Sequence, residues 1–379
     1  MKSVSDKDYM SLALAEGKKG LGWVHPNPPV GAVIVDKSGN VVAKGWHRNY
    51  GGGHAEIDAL KNLSDSSLID GATMYVTLEP CAHVGKTPSC AQALAKLPLK
   101  RLVYGIEDPN PQVSGQGAEI LNKAGIETHL YDGPKEELEE LCEIFLWNMR
   151  KKKIFVALKA ATSKDGYLNS STGQRWITGA QSRALVHNLR VQYDAVLVGK
   201  NTFLDDDPAL NVRSEVYGVR DNYAIVLDSR GEGLDHLAGS RLTTVRPLNK
   251  VIWVVKEGVK PKLRGLPDIK VIELQDSKKT GRLDLEVLLE KLFQIGINSL
   301  FLEGGAQVYN SFLEQDLVNR IYHFEAREVY AEKGLNMWLN SENLKKLSSV
   351  LANSKNSTFN HEESNLSLGG DLYYTCRIK

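Results

Sequence analysis

The sequence predicts two α/β domains, at residues 1–149 and 150–379. The chain has 379 residues, and since a single hydrophobic core stops growing at roughly 250–300 residues, a chain of this length should hold two cores. In both halves, apolar runs typical of buried strands alternate with segments of helical periodicity, which indicates layered α/β domains. The basic run from Arg150 to Lys153 follows a long predicted helix and is typical of a solvated linker, so we place the boundary there.

The composition argues against several classes of protein. Hydrophobic residues make up 42% of the chain and charged residues 25%, as in an ordinary soluble protein. The 47 basic and 46 acidic residues give a net charge of +1, which is no electrostatic footprint for long nucleic acid. No apolar run approaches the roughly 20 residues that span a bilayer, and the start of the chain lacks a signal-peptide core. We therefore expect a cytoplasmic protein that binds neither nucleic acid nor membrane.

The first domain alternates helices and strands. Its first helix, which Asp6 or Asp8 could cap, ends near Gly17. A hairpin turn joins the first two strands, and the later elements follow from apolar periodicity. The predicted strands cover 30–35, 41–46, 72–78, 101–105 and 126–130, and the predicted helices cover 54–62, 91–96, 116–124 and 135–148.

One histidine and two cysteines, His54, Cys81 and Cys90, are the ligand types that a tetrahedral zinc ion favours. Three protein ligands leave the fourth position for water, so the site would be catalytic rather than structural. Zinc lowers the pKa of such a water from about 15.7 towards about 7, and Glu56, two residues after His54, is well placed to move protons. His-x-Glu followed by Pro-Cys and a second Cys is the signature of zinc nucleobase deaminases.

Each part of this motif has an ordinary explanation when it stands alone. His-x-Glu arises by chance in many proteins, and intracellular cysteines are more often buried apolar residues than ligands, as we expect for Cys142 and Cys376. The combination favours the metal site. Deaminases of free cytidine usually place the two cysteines two residues apart, whereas eight residues, 82–89, separate them here. This loop is polar and cationic, which suits an anionic substrate.

Asn27 lies in the rigid, proline-rich turn 25–29, directly before the first strand. Its amide offers both a donor and an acceptor, which is what reading the edge of a pyrimidine requires. From spacing alone, an ordinary turn residue is an equally good interpretation.

The second domain shows the same alternation. Its predicted strands cover 154–161, 195–198, 223–228, 251–255, 270–274, 299–302 and 372–378, with helices over 181–189 and 307–313 and a loop over 351–368. At Gly304-Gly305, between a strand and a helix, the backbone could approach a phosphate at the helix N-terminus, although a tight turn is the more common explanation. Arg190 and Arg213 are candidate phosphate clamps, with surface salt bridges as an equal alternative.

These residues together resemble the bifunctional deaminase–reductase family of riboflavin biosynthesis over almost the whole chain. The deaminase half matches through residues 26–31, 54–56 and 79–90, and the long loop between the cysteines is normal in this family. The reductase half matches through residues 163–166, 176–178, 206–210 and 303–305, with Gly199, Thr202 and Arg213. The resemblance implies an N-terminal cytidine-deaminase-like three-layer domain and a C-terminal dihydrofolate-reductase-like α/β domain that binds NADPH.

The resemblance also implies the chemistry. The substrate would be a diamino-pyrimidinone that carries a ribosylamino 5′-phosphate. A zinc-activated water would replace the ring amine while Glu56 transfers protons, and NADPH would then reduce the ribosyl group at C1′. The family further suggests a homo-oligomer.

By motif position, the resemblance assigns the remaining contacts. The cofactor contacts would be Ala161, Trp176, Thr202, Asp206, Gly305, Ala306 and Gln307. The substrate contacts would be Asn27, His83 and Lys86 in the first domain and Gln174, Arg190, Leu210, Arg213 and Glu303 in the second. Ala161 and Gln174 stand where some relatives have Gly and Ser.

Two other functions remain as alternatives at this stage. The first is a deaminase whose second domain is an inert or regulatory module, against which the intact segments 206–213 and 303–305 argue. The second is a polynucleotide deaminase, against which the near-zero net charge and the long loop between the cysteines argue.

Overall fold

The structure is a computed structural model that describes residues 4–82, 89–110, 114–168, 176–260, 266, 268–278, 281–329 and 366–378. The chain forms two compact units, Met1–Lys152 and Lys153–Lys379. Each unit has a hydrophobic core of its own. None of the helices in these described ranges combines the length and the apolar character that crossing a membrane requires.

The first unit is built on a five-stranded sheet with the strand order β2-β1-β3-β4-β5. Strand β1 pairs antiparallel with β2 and β3, whereas β3, β4 and β5 are parallel. Every residue of β1 is buried, so both faces of the sheet are covered. The strands are β1 (Gly31–Val35), β2 (Val41–Trp46), β3 (Thr73–Leu78), β4 (Arg101–Ile106) and β5 (Glu127–Leu130).

The helices of the first unit begin with α1, which packs closely on β1. The N-cap of α1 is Ser5, and Asp8 accepts its backbone N–H at 2.9 Å. A side chain on Gly31 would lie 2.0 Å from the carbonyl oxygen of Ala13, so only glycine permits this close approach. The helices are α1 (Asp6–Lys18), α2 (Ala55–Lys61), α3 (Cys90–Leu94), α4 (Gln116–Lys123), α5 (Glu136–Leu141) and α6 (Glu143–Lys151).

The single helix predicted over 135–148 is wrong, because α5 and α6 meet at Cys142. The backbone of Cys142 leaves the helical region, with φ −105° and ψ 10°. Leu141 and Leu146 are both buried, and a continuous helix would turn the second of them about 140° away from the first over five residues. The break therefore returns both side chains to the same core.

The second unit is built on a larger, mostly parallel sheet. The described strands run in the order β12-β11-β10-β7-β13-β6-β14-β16-β15, and those from β12 to β14 are parallel. The strands of this sheet are β6 (Phe155–Thr162), β7 (Ala195–Gly199), β10 (Tyr223–Leu227), β11 (Val251–Lys256), β12 (Lys270–Leu274), β13 (Ser299–Leu302), β14 (Arg320–Glu325), β15 (Leu366–Leu368) and β16 (Asp371–Arg377).

A separate two-stranded ribbon consists of β8 (Val212–Ser214) and β9 (Gly218–Arg220). The helices of the second unit are α7 (Ala180–Arg190), α8 (Lys200–Asp206), α9 (Arg241–Thr244), α10 (Leu285–Gln294) and α11 (Ala306–Glu314).

The end of the loop predicted over 351–368 is a strand instead, while residues 351–365 lie outside the described ranges. Strand β15 pairs antiparallel with β16. Gly369 and Gly370, with φ 64° and 118°, make the tight turn between them, a conformation that glycine adopts without strain.

Candidate active sites

His54, Cys81 and Cys90 converge at one point of the first unit. His54 is the N-cap of α2, Cys81 follows β3, and Cys90 is the first residue of α3. The Nδ1 atom of His54 lies 3.5 Å from Sγ of Cys81 and 3.3 Å from Sγ of Cys90. All three ligand atoms lie within 4.8 Å of one another. The elements that the sequence predicts therefore bring these three side chains together.

The geometry of this cluster fits a zinc ion. Zinc binds sulfur at about 2.3 Å and nitrogen at about 2.0–2.1 Å, so tetrahedral coordination places a nitrogen and a sulfur ligand about 3.5 Å apart. The observed nitrogen–sulfur distances of 3.3 and 3.5 Å match that value. A hydrogen bond from Cys90, followed by the interaction with His54, lowers the pKa of Cys81 to about 4, which favours the thiolate that binds metal.

Glu56 lies beside the cluster and is 3% exposed. Burial, as the largest effect, raises the pKa of its carboxyl group, while His54 opposes the shift. A carboxyl group whose pKa is raised in this way can both accept and return a proton near neutral pH.

His47 is a further residue at this site, and the sequence analysis missed it. Its ring centroid lies 5.2 Å from that of His54, and Nδ1 lies 3.4 Å from the carbonyl oxygen of Pro28. Burial, and then the charge of His54, lower its pKa, which favours a neutral ring. Since Asn27 precedes Pro28, the predicted pyrimidine-reading turn reaches the zinc cluster through His47.

Arg190 and Glu303 form the centre of the second unit's candidate site. Arg190 ends α7 and Glu303 follows β13. Arg190 donates from Nε and Nη2 to the two carboxylate oxygens of Glu303, the second at 2.9 Å, and from Nη1 to the carbonyl oxygen of Asn211 at 2.8 Å. Arg190 outweighs the effect of burial and lowers the pKa of Glu303, so the carboxylate stays ionised.

Lys159 is the residue of this site that the sequence analysis missed. It lies in β6, next to β13 and β14 in the sheet. Burial lowers the pKa of its ammonium group, while the charges of Glu303 and Asp206 oppose that shift. The carbonyl oxygen of Lys159 accepts the hydroxyl of Tyr309 at 2.7 Å. The sequence gave one usable signal, a lysine within an otherwise apolar strand.

Arg213 approaches the same site from the separate ribbon. Its backbone N–H donates to Nδ1 of His187 at 3.1 Å, and its Nη2 lies 3.4 Å from Nε2 of the same ring. Burial and the charge of Arg190 lower the pKa of the Arg213 guanidinium, which nevertheless remains protonated at neutral pH. Two guanidinium groups therefore share one region between α7 and β8.

The turn between β13 and α11 has the features of a cofactor cradle. A side chain on Gly304 would lie 2.9 Å from Cβ of Val308 and 3.2 Å from the backbone nitrogen of Gly199. A side chain on Gly305 would lie 3.7 Å from Oγ1 of Thr202. The two glycines thus bring the start of α11, with its free N–H groups, beside Gly199 and Thr202. Such a turn fits the phosphates of a dinucleotide.

Comparisons with known proteins agree with both sites. Residues 3–106 match the model of the cytidine and deoxycytidylate deaminase zinc-binding region, and residues 154–326 match the RibD C-terminal domain. The riboflavin biosynthesis protein RibD of Actinobacillus pleuropneumoniae is 39% identical over 88% of this chain and 86% of its own length. RibD of Escherichia coli K12 is 35% identical over 84% of this chain and 86% of its own.

This chain belongs to the RibD family.

Solved RibD structures share its fold. Acinetobacter baumannii RibD (form 1) has a TM-score of 0.76 at 30% identity and covers 98% of each chain. A Thermotoga maritima diaminohydroxyphosphoribosylaminopyrimidine deaminase/5-amino-6-(5-phosphoribosylamino)uracil reductase has a TM-score of 0.73 at 36% identity and covers 87% of this chain and 88% of its own. The RibD assignment confirms the predicted α/β class with its deaminase-like and reductase-like domains, the bifunctional enzyme, and zinc and NADPH as cofactors.

The structure describes most, but not all, of the predicted RibD contacts. His83, Lys86 and Gln174 lie outside the described residues. Ala161 is half-buried in β6, and Trp176 is 55% exposed with the Arg183 guanidinium 4.9 Å above its ring. The remaining contacts lie on α8, on the segment after it or at the start of α11, namely Asp206, Leu210, Ala306 and Gln307.

In this RibD, a buried arginine fixes the segment that carries Leu210. Arg246 donates from Nη1 to the carbonyl oxygen of Asn222 at 2.7 Å and from Nη2 to that of Ala209. Burial, and then the charge of Arg190, lower its pKa to about 10, so it stays a cation. Leu210 has φ 47°, a strained value for a non-glycine residue, and the hydrogen bond to its neighbour holds the strained segment in place.

A buried glutamate fixes the Glu79-Pro80-Cys81 turn of the deaminase unit in a similar way. Glu79 is 3% exposed, and its carboxylate accepts the backbone N–H groups of Asp108 and Gly115 at 3.3 and 3.1 Å. A side chain on Gly117 would lie 2.1 Å from the carbonyl oxygen of Pro80. The start of α4 therefore packs directly against the turn that presents Cys81.

Proposed function

We propose that this chain acts twice on one phosphorylated pyrimidine. The first unit would deaminate 2,5-diamino-6-ribosylamino-4(3H)-pyrimidinone 5′-phosphate by hydrolysis, and the second would reduce its ribosyl group to ribityl. One observation carries the proposal above all. The ligand atoms of His54, Cys81 and Cys90 lie within 4.8 Å of one another, beside the buried carboxyl group of Glu56.

In the first step, the ring carbon gains the oxygen of one water and loses its amine as ammonia. Zinc on His54, Cys81 and Cys90 would supply a water that is activated at neutral pH. Glu56 takes a proton from that water and gives it to the departing amine. Its buried position, which raises its pKa, suits a group that must hold the proton between these events.

In the second step, the residues of the second unit hold the sugar and its phosphate. NADPH supplies the hydride that C1′ receives. Opening of the sugar at C1′ leaves negative charge on the ring oxygen, so a proton must arrive there. Glu303 is held ionised by Arg190, whereas burial shifts the pKa of Lys159 down towards the working pH. Lys159 is therefore the group suited to deliver the proton.

The direct test incubates the purified chain with the diaminopyrimidinone phosphate, with and without NADPH. Ammonia and nicotinamide absorbance are followed together. We expect ammonia in both reactions and loss of nicotinamide absorbance only where NADPH is present. Ammonia release without NADPH consumption, also on the deaminated substrate, would instead favour an inert or regulatory second domain.

A further inference from the structure

His187 and Arg213 hold an unusual arrangement between α7 and β8. The Arg213 backbone N–H donates to Nδ1 of His187 at 3.1 Å, while its guanidinium Nη2 lies 3.4 Å from Nε2 on the far side of the same ring. Arg213 therefore meets both nitrogens of one imidazole.

The first of these contacts fixes the proton on the ring. A backbone N–H can only donate, so Nδ1 must be the unprotonated acceptor, and the neutral ring then carries its hydrogen on Nε2. Guanidinium nitrogens are donors as well. The Nε2–Nη2 contact is consequently a pair of donors side by side rather than a hydrogen bond, and the pair requires a shared acceptor.

The surroundings favour an anion as that acceptor. Arg190 follows His187 by three residues on α7, so both lie on one face of the helix. Burial, and then the charges of Arg190 and Arg213, lower the pKa of His187 to about 4, while Glu303 and the backbone of Asn211 act in the opposite direction. Glu303 and the Asn211 carbonyl are already bonded to Arg190. The ring is thus neutral at physiological pH and remains a donor.

We propose that His187 is a direct ligand of the substrate's phosphate group, to which it donates its Nε2–H beside the Arg213 guanidinium. This inference rests on the proposed function, because it takes the ligand of the second unit to be a phosphate monoester. A phosphate presents three strong acceptor oxygens, which can satisfy the imidazole and the guanidinium at the same time. A neutral imidazole adds a directed donor where a third cation next to Arg190 and Arg213 would be costly.

The test uses two substitutions that separate the ring nitrogens. In His187→Asn, the side-chain oxygen can still accept from the Arg213 backbone, but the distant donor is gone. In His187→Gln, the amide nitrogen reaches the position of Nε2, whereas the acceptor next to the backbone is lost. Isothermal titration of the full-length chain with ribose 5-phosphate, and with ribose as the uncharged control, measures the phosphate-dependent part of binding.

We expect His187→Asn to weaken ribose 5-phosphate binding about tenfold or more, since one hydrogen bond to a charged group is lost. His187→Gln should recover most of the affinity, and ribose should not distinguish the variants. Thermal midpoints and NADPH affinity serve as controls for folding.

The opposite ranking would overturn the proposal, because it would mean that His187 only fixes the backbone of Arg213. Equal affinity of all three proteins, or unmodified chain that does not prefer ribose 5-phosphate to ribose, would overturn it too. The titration does not depend on turnover. Ammonia release without NADPH consumption would contradict the proposed second step while leaving the titration result intact.

Discussion

Arg190 grips both oxygens of the Glu303 carboxylate, so the end of helix α7 and the end of strand β13 share one planar, bidentate contact. The two side chains are only 11% and 9% exposed. A guanidinium fork fixes the plane of a carboxylate as well as its distance. Glu303 therefore cannot rotate within the site unless Arg190 moves with it.

Replacing Arg190 by Lys should separate charge from geometry. The positive charge remains, but a lysine cannot form the bidentate contact. We expect reductase kcat/KM to fall roughly 100-fold, because a small misplacement of a site group has effects of that size, while ammonia release is unchanged. The matched control is Arg282→Lys, since the Arg282–Glu314 pair is exposed and 3.6 Å long. Equal losses in both variants would contradict a specific role for Arg190.

Glu56→Gln tests the proton transfer of the deaminase. The amide keeps the shape of the side chain but cannot take up a proton, so ammonia release should fall about 10²–10⁴-fold. Zinc content and reduction of the deaminated substrate should stay as in the unmodified chain. Glu119→Gln, on an exposed helix face, controls for loss of one carboxylate. Full deaminase activity in Glu56→Gln would refute the role given to Glu56.

Metal content distinguishes the ligand cysteines from the core cysteines. Cys90→Ser removes one of three ligand atoms, so we expect substoichiometric zinc by elemental analysis and loss of ammonia release. Cys376→Ser is the control, because Cys376 is likewise buried but lies in β16 of the second unit. Its zinc content should be unaffected. Stoichiometric zinc in Cys90→Ser would argue that Cys90 is not a ligand.

The Asp6–Arg101 pair should make the first unit sensitive to acid. Arg101 donates to both oxygens of Asp6 at 3.0 and 2.6 Å, and Tyr75 donates its hydroxyl at 2.6 Å. The hydrogen bond from Arg101 is the main reason that the pKa of Asp6 lies below its ordinary value. A carboxyl group with a depressed folded-state pKa stabilises the fold above its unfolded pKa of about 3.9, and that contribution is lost as the pH falls through the folded value.

Asp6→Asn should therefore lower the free energy of opening β3 and β4 by about 1 kcal/mol at neutral pH, since the pair is partly exposed. The difference from the unmodified chain should vanish at pH values below the folded-state pKa of Asp6. Hydrogen exchange of the β3 and β4 amides, measured across this pH range, reports it. A difference that does not change with pH would show that the carboxylate charge is irrelevant.

Gly304 and Gly305 should respond differently to alanine. A methyl group on Gly304 meets Val308 at 2.9 Å and the Gly199 backbone at 3.2 Å, so Gly304→Ala should lower the thermal midpoint. A methyl group on Gly305 lies 3.7 Å from Thr202, an ordinary contact, so Gly305→Ala should fold normally. Because it intrudes where the backbone would face a phosphate, Gly305→Ala should weaken NADPH binding in a fluorescence titration. Normal NADPH affinity in Gly305→Ala would place the cofactor elsewhere.

The sequence predicted the zinc cluster well because its ligands are tied to element boundaries. His54, Cys81 and Cys90 each stand at the start of a helix or after a strand, so the alternation of elements already implied that they could meet. Buried strands such as β1 and β13 were equally clear, because short apolar runs have few other interpretations.

Contacts that depend on which strands become neighbours could not be read from the sequence. Lys159 reaches Glu303 only because β6 lies beside β13 in the sheet. His187 meets Arg213 only because the ribbon of β8 and β9 folds against α7. The break at Cys142 also escaped prediction, since local propensity does not reveal when the core requires a helix to change direction.

Arg246 has a consequence for how the second unit should respond to ionic strength. Its guanidinium is buried, and the groups it donates to, the carbonyls of Asn222 and Ala209, bring only partial negative charge. Dissolved ions screen exposed charges but hardly reach buried ones. An attraction for anionic ligands that comes partly from the interior should thus persist in concentrated salt, where association guided by surface charge alone would fade.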